Sequence, residues 1–449
     1  MTGIPFAVVD ELSCYFDSAA EPNNVHLEAW LPGHLDPGRL RAAVATVLSS
    51  QPRARVRQAP RRWWHRGYAW ETPAETARPS DIVSVTCWRS DADLDSARAR
   101  FLATAPPLDR SPPFRLLLAT GPDRDSVILN AHHAAFDGQS CLRLLRLIAD
   151  QYSDAAARSE DGARGARRIP AEPGKRTAKN AASRRAARIS PRHGDSRRQR
   201  HALGYGFHLL AWPDVPPTPR PETGPRATVN DVLVAALIET IRQWNSNASP
   251  RHPIRISVPA DARPPGLADE LGNLSRLCTV TVSAGAVPST GAPLLSTVAE
   301  QTRDAKRQPG PQVGDALTAV AKAPLPAAAK RPLLRLAVRC LGRLVSDTSL
   351  LSNLGNVIAP PRFGQLTPSR MWFSTSAHMP RGLSVGAITV EGRLHLCFRY
   401  RRALFDDTAA ARFAAGYATA LTVLARGGDP PEPPATGGNR PSRPLGQAR

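Results

Sequence analysis

Two adjacent histidines, His132 and His133, followed by Asp137 and Gly138, are the residues of this chain best suited to chemistry. Imidazole titrates near neutral pH. A rigidly held histidine therefore takes a proton from an amine, alcohol or thiol as it attacks a carbonyl, and returns it to the leaving group. An aspartate four positions on, followed by glycine, suits a tight turn in which the carboxylate fixes geometry. The glycine allows a positive φ or the close approach of a substrate. Taken alone, the paired histidines fit equally well a satisfied core pair or a metal-binding loop.

The elements around them narrow the setting. Residues 115–119 and 126–130 are short apolar runs separated by Gly121, Pro122, Asp123, Arg124 and Asp125, which reads as two strands and a polar turn. Beyond the motif, Leu142, Leu145, Leu147 and Ile148 recur at roughly helical spacing. The histidines thus fall at the end of a buried strand just before a helix. A strand end holds a side chain firmly, while the loop beyond it leaves room for a substrate.

The spacing His-His-x-x-x-Asp-Gly resembles the active-site motif of the condensation-domain superfamily. That superfamily includes chloramphenicol acetyltransferase, peptide-synthetase condensation domains, polyketide-associated acyltransferases and bacterial wax ester synthases. His132, His133, Asp137 and Gly138 all match. The resemblance implies that His133 is the catalytic base and that Asp137 is structural, paired with an arginine from elsewhere. A carboxylate in an ion pair has a lowered pKa and is a poor proton acceptor. Arg263, which follows the valine-proline strand at 254–259, is the candidate partner, with Arg255 and other arginines in competition.

Further segments extend the likeness over most of residues 1–425. Ser352, Asn353 and Gly355 resemble the Ser-Asn-x-Gly segment that lines the cleft in these proteins. Such a segment either brings backbone donors near a ligand or forms a bulge that shapes the sheet. Ser376 is a candidate hydroxyl for an oxyanion, although backbone amides near Gly138 could do the same without a side chain. His378 follows the same polar stretch, whereas His395 sits in an alternating strand and reads as a strand-face residue.

In chain order, residues 25–31 alternate like a half-buried strand, Asp36 and Pro37 open a helix, and residues 82–88 alternate cleanly. Thr228 caps a helix whose face is Val229, Val232, Leu233, Ala236 and Leu237. Residues 383–390 and 393–400 flank Glu391 and Gly392 as a hairpin, and a final helix runs from 406 to 424.

A chain of 449 residues with 42% hydrophobic residues has room for two domains of ordinary size. No run approaches the roughly 20 apolar residues that span a bilayer, and the first residues lack a basic segment followed by an apolar one. A cytoplasmic protein with no membrane span is expected. The six cysteines are scattered singly, so no zinc site, other metal or disulfide framework is indicated.

Net charge is +21. About half of the excess lies between 158 and 200, where fourteen Lys or Arg face four acids among Ala, Gly, Ser and Pro. This composition buries no core and reads as a disordered basic linker: a solvated tether, or an electrostatic contact with an acidic carrier protein or nucleic acid. That segment holds no Phe, Trp or Tyr, which argues against nucleic acid as a partner.

The expected fold class is α/β: two chloramphenicol acetyltransferase-like lobes in a V, each a mixed sheet packed with helices, with an active-site tunnel between them. The first lobe spans 1–157 and carries the motif, 158–202 is the linker, the second lobe spans 203–426, and 427–449 is a disordered tail. The resemblance implies a stand-alone acyltransferase of natural-product assembly, acting as a monomer. It would move an acyl group from a phosphopantetheinyl carrier-protein thioester or acyl-coenzyme A to a small amine or alcohol, with no permanently bound cofactor. A wax-ester-type lipid acyltransferase and a non-catalytic recruitment module are the other readings.

Overall fold

The computed structural model describes residues 3–75, 77–154, 185–193, 204–218, 226–245, 252–267, 269–283, 291–307 and 315–426. In chain order the elements are β1 (Ile4–Pro5), α1 (Val8–Phe16), β2 (Asn24–Leu31), α2 (Pro37–Ser50), β3 (Arg57–Gln58), β4 (Ala69–Glu71), α3 (Pro79–Ile82), β5 (Val83–Cys87), α4 (Asp91–Phe101), β6 (Phe114–Thr120), β7 (Asp125–His132) and α5 (Gly138–Asp154). The second half adds β8 (Tyr205–Trp212), α6 (Val229–Trp244), β9 (Ile254–Asp261), β10 (Ser275–Val282), α7 (Ala292–Arg307), α8 (Asp315–Lys322), α9 (Ala327–Val345), β11 (Ser349–Val357), β12 (Arg370–Thr375), β13 (Leu383–Val390), β14 (Arg393–Arg401) and α10 (Asp407–Ala425).

Two mixed sheets organise these elements, one of five strands in the order β12-β2-β7-β6-β5 and one of six in the order β10-β9-β11-β13-β14-β8. A small three-stranded sheet, β1-β4-β3, lies beside the first. The α/β class with two helix-packed mixed sheets is therefore as expected.

Strand periodicity explains how the first sheet is filled. In β7, Val127, Leu129 and Ala131 enter the core that also holds Val44, Leu145 and Ile148 of α2 and α5. Their alternates, Ser126, Ile128, Asn130 and His132, face the other way. Strand β2 repeats the pattern: Val25, Leu27, Ala29 and Leu31 enter the core, and Asn24, His26, Glu28 and Trp30 lie opposite.

The alternation of residues 25–31 predicts that this second face of β2 is exposed. It is buried, because α4 covers Ile128 and Leu117 while Phe207 of β8 packs alongside. Glu28 and His26 are consequently removed from water, and Glu28 is compensated fully. Arg98 Nε and Nη2 donate to it at 2.6 and 2.9 Å, Trp30 Nε1 at 2.6 Å and Ser126 Oγ at 2.9 Å, and His26 Nε2 lies 3.2 Å away. Burial alone would raise the Glu28 pKa, but Arg98 and His26 outweigh it and hold the carboxyl below its ordinary range.

Several local signals act as the sequence leads one to expect. Asp36 accepts from Arg39 N at 2.5 Å with Pro37 in the first turn, and Thr228 and Asp231 form a reciprocal capping box. The β13–β14 turn has Glu391 at φ 49° and Gly392 at φ 75°, the double positive φ of a tight hairpin whose twist matches its strands.

One expectation about the lobes changes. Strand β12, within the stretch assigned to the second lobe, pairs antiparallel with β2 from Arg370↔Trp30 to Thr375↔Val25, so it completes the first sheet. It crosses β13 so closely that a Cβ on Gly386 would lie 1.9 Å from Phe373 O.

Part of the expected linker is also seated on the second half: Ile189 is buried, and Arg188 donates to Asp347 O and Gly342 O. The rest of that segment, and the tail from 427, lie outside the described residues. No helix among the described residues is long and apolar enough to cross a membrane.

Candidate active site

The paired histidines close β7. His132 N–H donates to Pro113 O and His133 N–H to Asn23 O, both at 2.9 Å. Ala135 N and Phe136 N then turn back onto His132 O, and Asp137 caps α5 by accepting from Ser140 N at 2.8 Å. Strand end, turn and helix start thus occupy seven residues. Gly138 keeps an ordinary negative φ; the requirement there is space, since a Cβ would lie 2.7 Å from both Leu354 and Phe373.

Asp137 carries no free acceptor of use to a substrate. Arg263 Nη2 donates to its Oδ1 at 2.9 Å, and Leu274 N donates to its Oδ2 at 2.9 Å. Arg263 is itself held by Asp261 and by Glu270 O, with its side chain only 3% exposed. Burial lowers the Arg263 pKa, but Asp137 and Asp261 outweigh it and leave the group above its ordinary value. Arg255 pairs instead with Asp347.

Arg263 belongs to the loop 262–274 between β9 and β10, and that loop clamps the motif at several points. Gly272 O accepts from Asp137 N at 3.1 Å and Ser140 Oγ at 2.7 Å, while Asn273 Nδ2 donates to His133 O at 2.9 Å.

The two imidazoles differ in what surrounds them. His132 Nδ1 accepts from Ala134 N–H at 3.0 Å, which leaves the proton on Nε2 facing Asp17 Oδ2 at 3.8 Å. Burial raises the Asp17 pKa, but His132 and the Asn23 N–H more than reverse this and keep it ionised. His132 is thereby fixed in one tautomer.

His133 Nδ1 is buried without a hydrogen-bond partner of standard geometry among the described residues, supported only by its own main chain. Burial lowers the His133 pKa, helped by His132 and Arg399 and partly offset by Asp137, so the imidazole is neutral at pH 7. With Nδ1 turned to its own main chain, Nε2 is the nitrogen that can act as a base.

His378 joins this group. Burial first, then Arg381, Arg399 and His133, push its pKa down to about 3, and neither ring nitrogen has a partner among the described residues; the nearest acid is Glu21 Oε2 at 4.0 Å. Arg399 of β14 reaches the start of β2, donating to Asn24 O at 3.1 Å and Asn24 Oδ1 at 2.6 Å beneath the ring of Tyr205. Burial brings its pKa down to about 10. Asn24 is the strand partner of His132, so Arg399 braces the histidine pair from the second sheet. Neither Asp17 nor Arg399 carries any motif signal in the sequence.

The remaining candidates are placed differently. Ser376 Oγ donates to Pro22 O at 2.6 Å and accepts from Asn24 N at 3.0 Å. Its one hydrogen is committed to main chain, so it is a tie between β12 and β2 and has no proton for an oxyanion. The Ser352 segment forms the bulge: the β11–β13 register breaks between Asn353 and Asn356, Gly355 adopts φ 79°, and Gly355 N–H donates to Asn353 Oδ1 at 2.8 Å. What this segment presents to the motif is Leu354, whose carbonyl accepts from Gln139 Nε2 at 3.1 Å. Ser352 is buried opposite Gly386 in the sheet. His395 packs edge to face on Trp372, away from the pair. Among the described residues, no three His, Cys, Asp or Glu gather as metal ligands.

No protein-family model matches the sequence. Two uncharacterized proteins from two strains of Mycobacterium tuberculosis are 29% identical over 433 residues, which is 92% of this chain and 97% of theirs. Among solved structures, the starter condensation domain of rhizomide synthetase in complex with C8-CoA superposes with a TM-score of 0.61 at 15% identity, over 96% of both chains.

The chain has the condensation-domain fold. The first condensation domain of the calcium-dependent antibiotic synthetase, bound to a substrate analogue, gives 0.61 at 16% identity over 95% of this chain and 98% of that one. The epimerization domain of tyrocidine synthetase B gives 0.55 at 14% identity, over 95% and 98%.

Proposed function

We propose that this protein is a condensation-type acyltransferase that moves an acyl group from a thioester, carried by coenzyme A or by a carrier-protein phosphopantetheine, to a small amine or alcohol between the lobes. The observation that carries the reading is the placement of His133: its main chain is held at a strand end by Asn23 O and Asn273 Nδ2, and its Nδ1 is buried against its own main chain, which leaves Nε2 as the nitrogen to take a proton; burial lowers its pKa and so favours the neutral form. As the nucleophile attacks the carbonyl carbon, His133 takes its proton. Main-chain amides at the start of α5 stabilise the oxyanion. The C–S bond then breaks and the imidazolium protonates the departing thiolate. Asp137 and Arg263 take no part in proton transfer; they hold the turn that aims His133. The C8-CoA bound by the rhizomide synthetase domain supports a coenzyme A thioester as a donor class.

The test is intact-mass detection of acyl transfer with acyl-coenzyme A and acyl-carrier donors and a panel of amines and alcohols. His133→Ala should lose about 10²- to 10⁴-fold in turnover, the usual worth of a positioned base, while unfolding at the wild-type denaturant midpoint. Equal turnover in the variant removes His133 as the base. No turnover by the wild type with any donor favours a recruitment module.

A further inference from the structure

The loop 60–67 (Pro60, Arg61, Arg62, Trp63, Trp64, His65, Arg66, Gly67) carries two tryptophans that the fold leaves outside. Trp63 is 72% exposed and Trp64 49%, and their rings meet edge to face at 5.6 Å. Indoles are the largest apolar groups a chain possesses and dominate buried surfaces. Two side by side in water are a surface awaiting contact.

This loop is fastened to α9. His65 O accepts from Ala327 N at 2.9 Å, and Lys330 Nζ donates to Arg66 O at 2.7 Å. Helix α9 adds Leu333 and Leu336, three residues apart and so on one face, both exposed; Leu325 is exposed just ahead of the helix. Two cations of the loop lie over aromatic rings, while two of α9 are on the face turned to Asp17. Arg62 lies over the Trp64 ring at 5.2 Å, and Arg61 over the Tyr68 ring at 4.6 Å. Arg331 and Arg335 of α9 both donate to the main-chain Asp17 O. Among the described residues no carboxylate pairs with Arg61 or Arg62, whereas Asp17 lies within electrostatic reach of Arg331 and Arg335.

Exposed tryptophan, leucine on one helical face and unneutralised arginine together match the side chains that sit at the headgroup boundary of a bilayer. Anionic headgroups supply the missing counter-charge. An acidic protein would answer the arginines but would also need an apolar socket for two adjacent indoles. We propose that loop 60–67 and α9 form a docking surface for an anionic lipid bilayer, with Trp63 and Trp64 seated at the boundary between headgroups and acyl chains. Arg331 and Arg335 tie α9 to Asp17, which flanks His132, so the helix that carries the surface is joined to the histidine pair. The inference does not depend on the proposed acyl transfer.

The full chain is mixed with vesicles of phosphatidylcholine alone, or of phosphatidylcholine with phosphatidylglycerol, and bound protein is measured by sedimentation. Brominated acyl chains report tryptophan insertion by quenching. Wild type should bind only the anionic vesicles and be quenched by the brominated lipid. Trp63→Ser with Trp64→Ser should lower the affinity about tenfold or more and abolish most of the quenching, given the usual worth of one buried aromatic. Arg62→Gln should lower affinity about fivefold. Equal vesicle binding by the double variant overturns the proposal and assigns adsorption to the Arg-rich segment 158–200. Absence of wild-type binding also overturns it, as does a wild-type dimer that the double variant converts to monomer, which would make a second copy the occupant. Both tryptophans are exposed, so the variants should unfold at the wild-type denaturant midpoint.

Discussion

Two buried carboxylate–guanidinium pairs do opposite jobs in this molecule. Glu28 and Arg98 lie inside the first half, bonded at 2.6 and 2.9 Å, with Trp30, Ser126 and His26 supplying further contacts. Asp137 and Arg263 are as well buried, but they join the motif turn to a loop of the second half through one bond of 2.9 Å. The first pair neutralises a charged strand face so that α4 and β8 can close over it. The second sets the orientation of a reactive turn. A buried ion pair is weak evidence for stability by itself, since desolvation offsets most of the attraction. What distinguishes the two is what each holds still.

Removing one partner is the sharpest way to break the comparison. Glu28→Gln should destabilise the fold by about 3–5 kcal/mol, because Arg98 Nε and Nη2 lose their buried carboxylate and only the exposed Asp95, on Nη1, remains. Denaturant unfolding measures this, and turnover per folded molecule should stay near wild type. Asp137→Asn keeps the shape but offers one acceptor oxygen where the carboxylate uses two, for Ser140 N and Leu274 N; Arg263 retains Asp261, so the stability cost should be smaller, about 1–3 kcal/mol. Its turnover should fall and the acid limb of the pH profile, which belongs to His133, should move modestly to lower pH, because the Asp137 charge that raises the His133 pKa is gone. A double-mutant cycle with Arg263→Met should return a coupling of about 0.5–3 kcal/mol. An acid limb that disappears or moves to higher pH in Asp137→Asn would instead make the aspartate a titrating participant.

The smallest effect at neutral pH comes from histidines that hold no charge at all. Burial, with Arg370 adding to it, pushes the His395 pKa down to about 4, so the folded protein carries this group neutral while the unfolded chain protonates it near 6.5. The unfolded state binds the extra proton between those values. Stability is therefore lost as pH falls from about 6.5 to about 4. Replacing His395 with leucine should flatten that decline by up to one proton in urea titrations at pH 7 and pH 5, with little change at pH 7.

The sequence carried the local chemistry well and the long-range assembly poorly. The strand before His132, the turn and the helix after Gly138 are written in local periodicity and capping, which is why the motif could be placed on its elements. The pairing of Arg263 with Asp137 came only from a family likeness; no spacing within the chain links residues 126 positions apart. The burial of His26 and Glu28 was missed for a physical reason. Alternation tells that two faces differ, and only tertiary packing decides whether the polar one meets water or Arg98. Ser376 was misjudged similarly, since a hydroxyl in a polar stretch gives no sign that Pro22 O will take its hydrogen. The crossing of β12 into the first sheet has no local signature except Gly386, where a side chain would strike Phe373 O.

That crossing bears on how the chain assembles during synthesis. The first sheet needs its β12 edge, whose residues leave the ribosome some 340 positions after those of β2. Until then β2 presents an unpaired strand edge, with its ladder groups open to other chains. The first sheet therefore stays open until late although four of its five strands are made first, and so long a loop closure slows that step. A nascent chain arrested before residue 370 should be protease-sensitive at β2 even with its own helices formed, and should regain protection once β12 emerges.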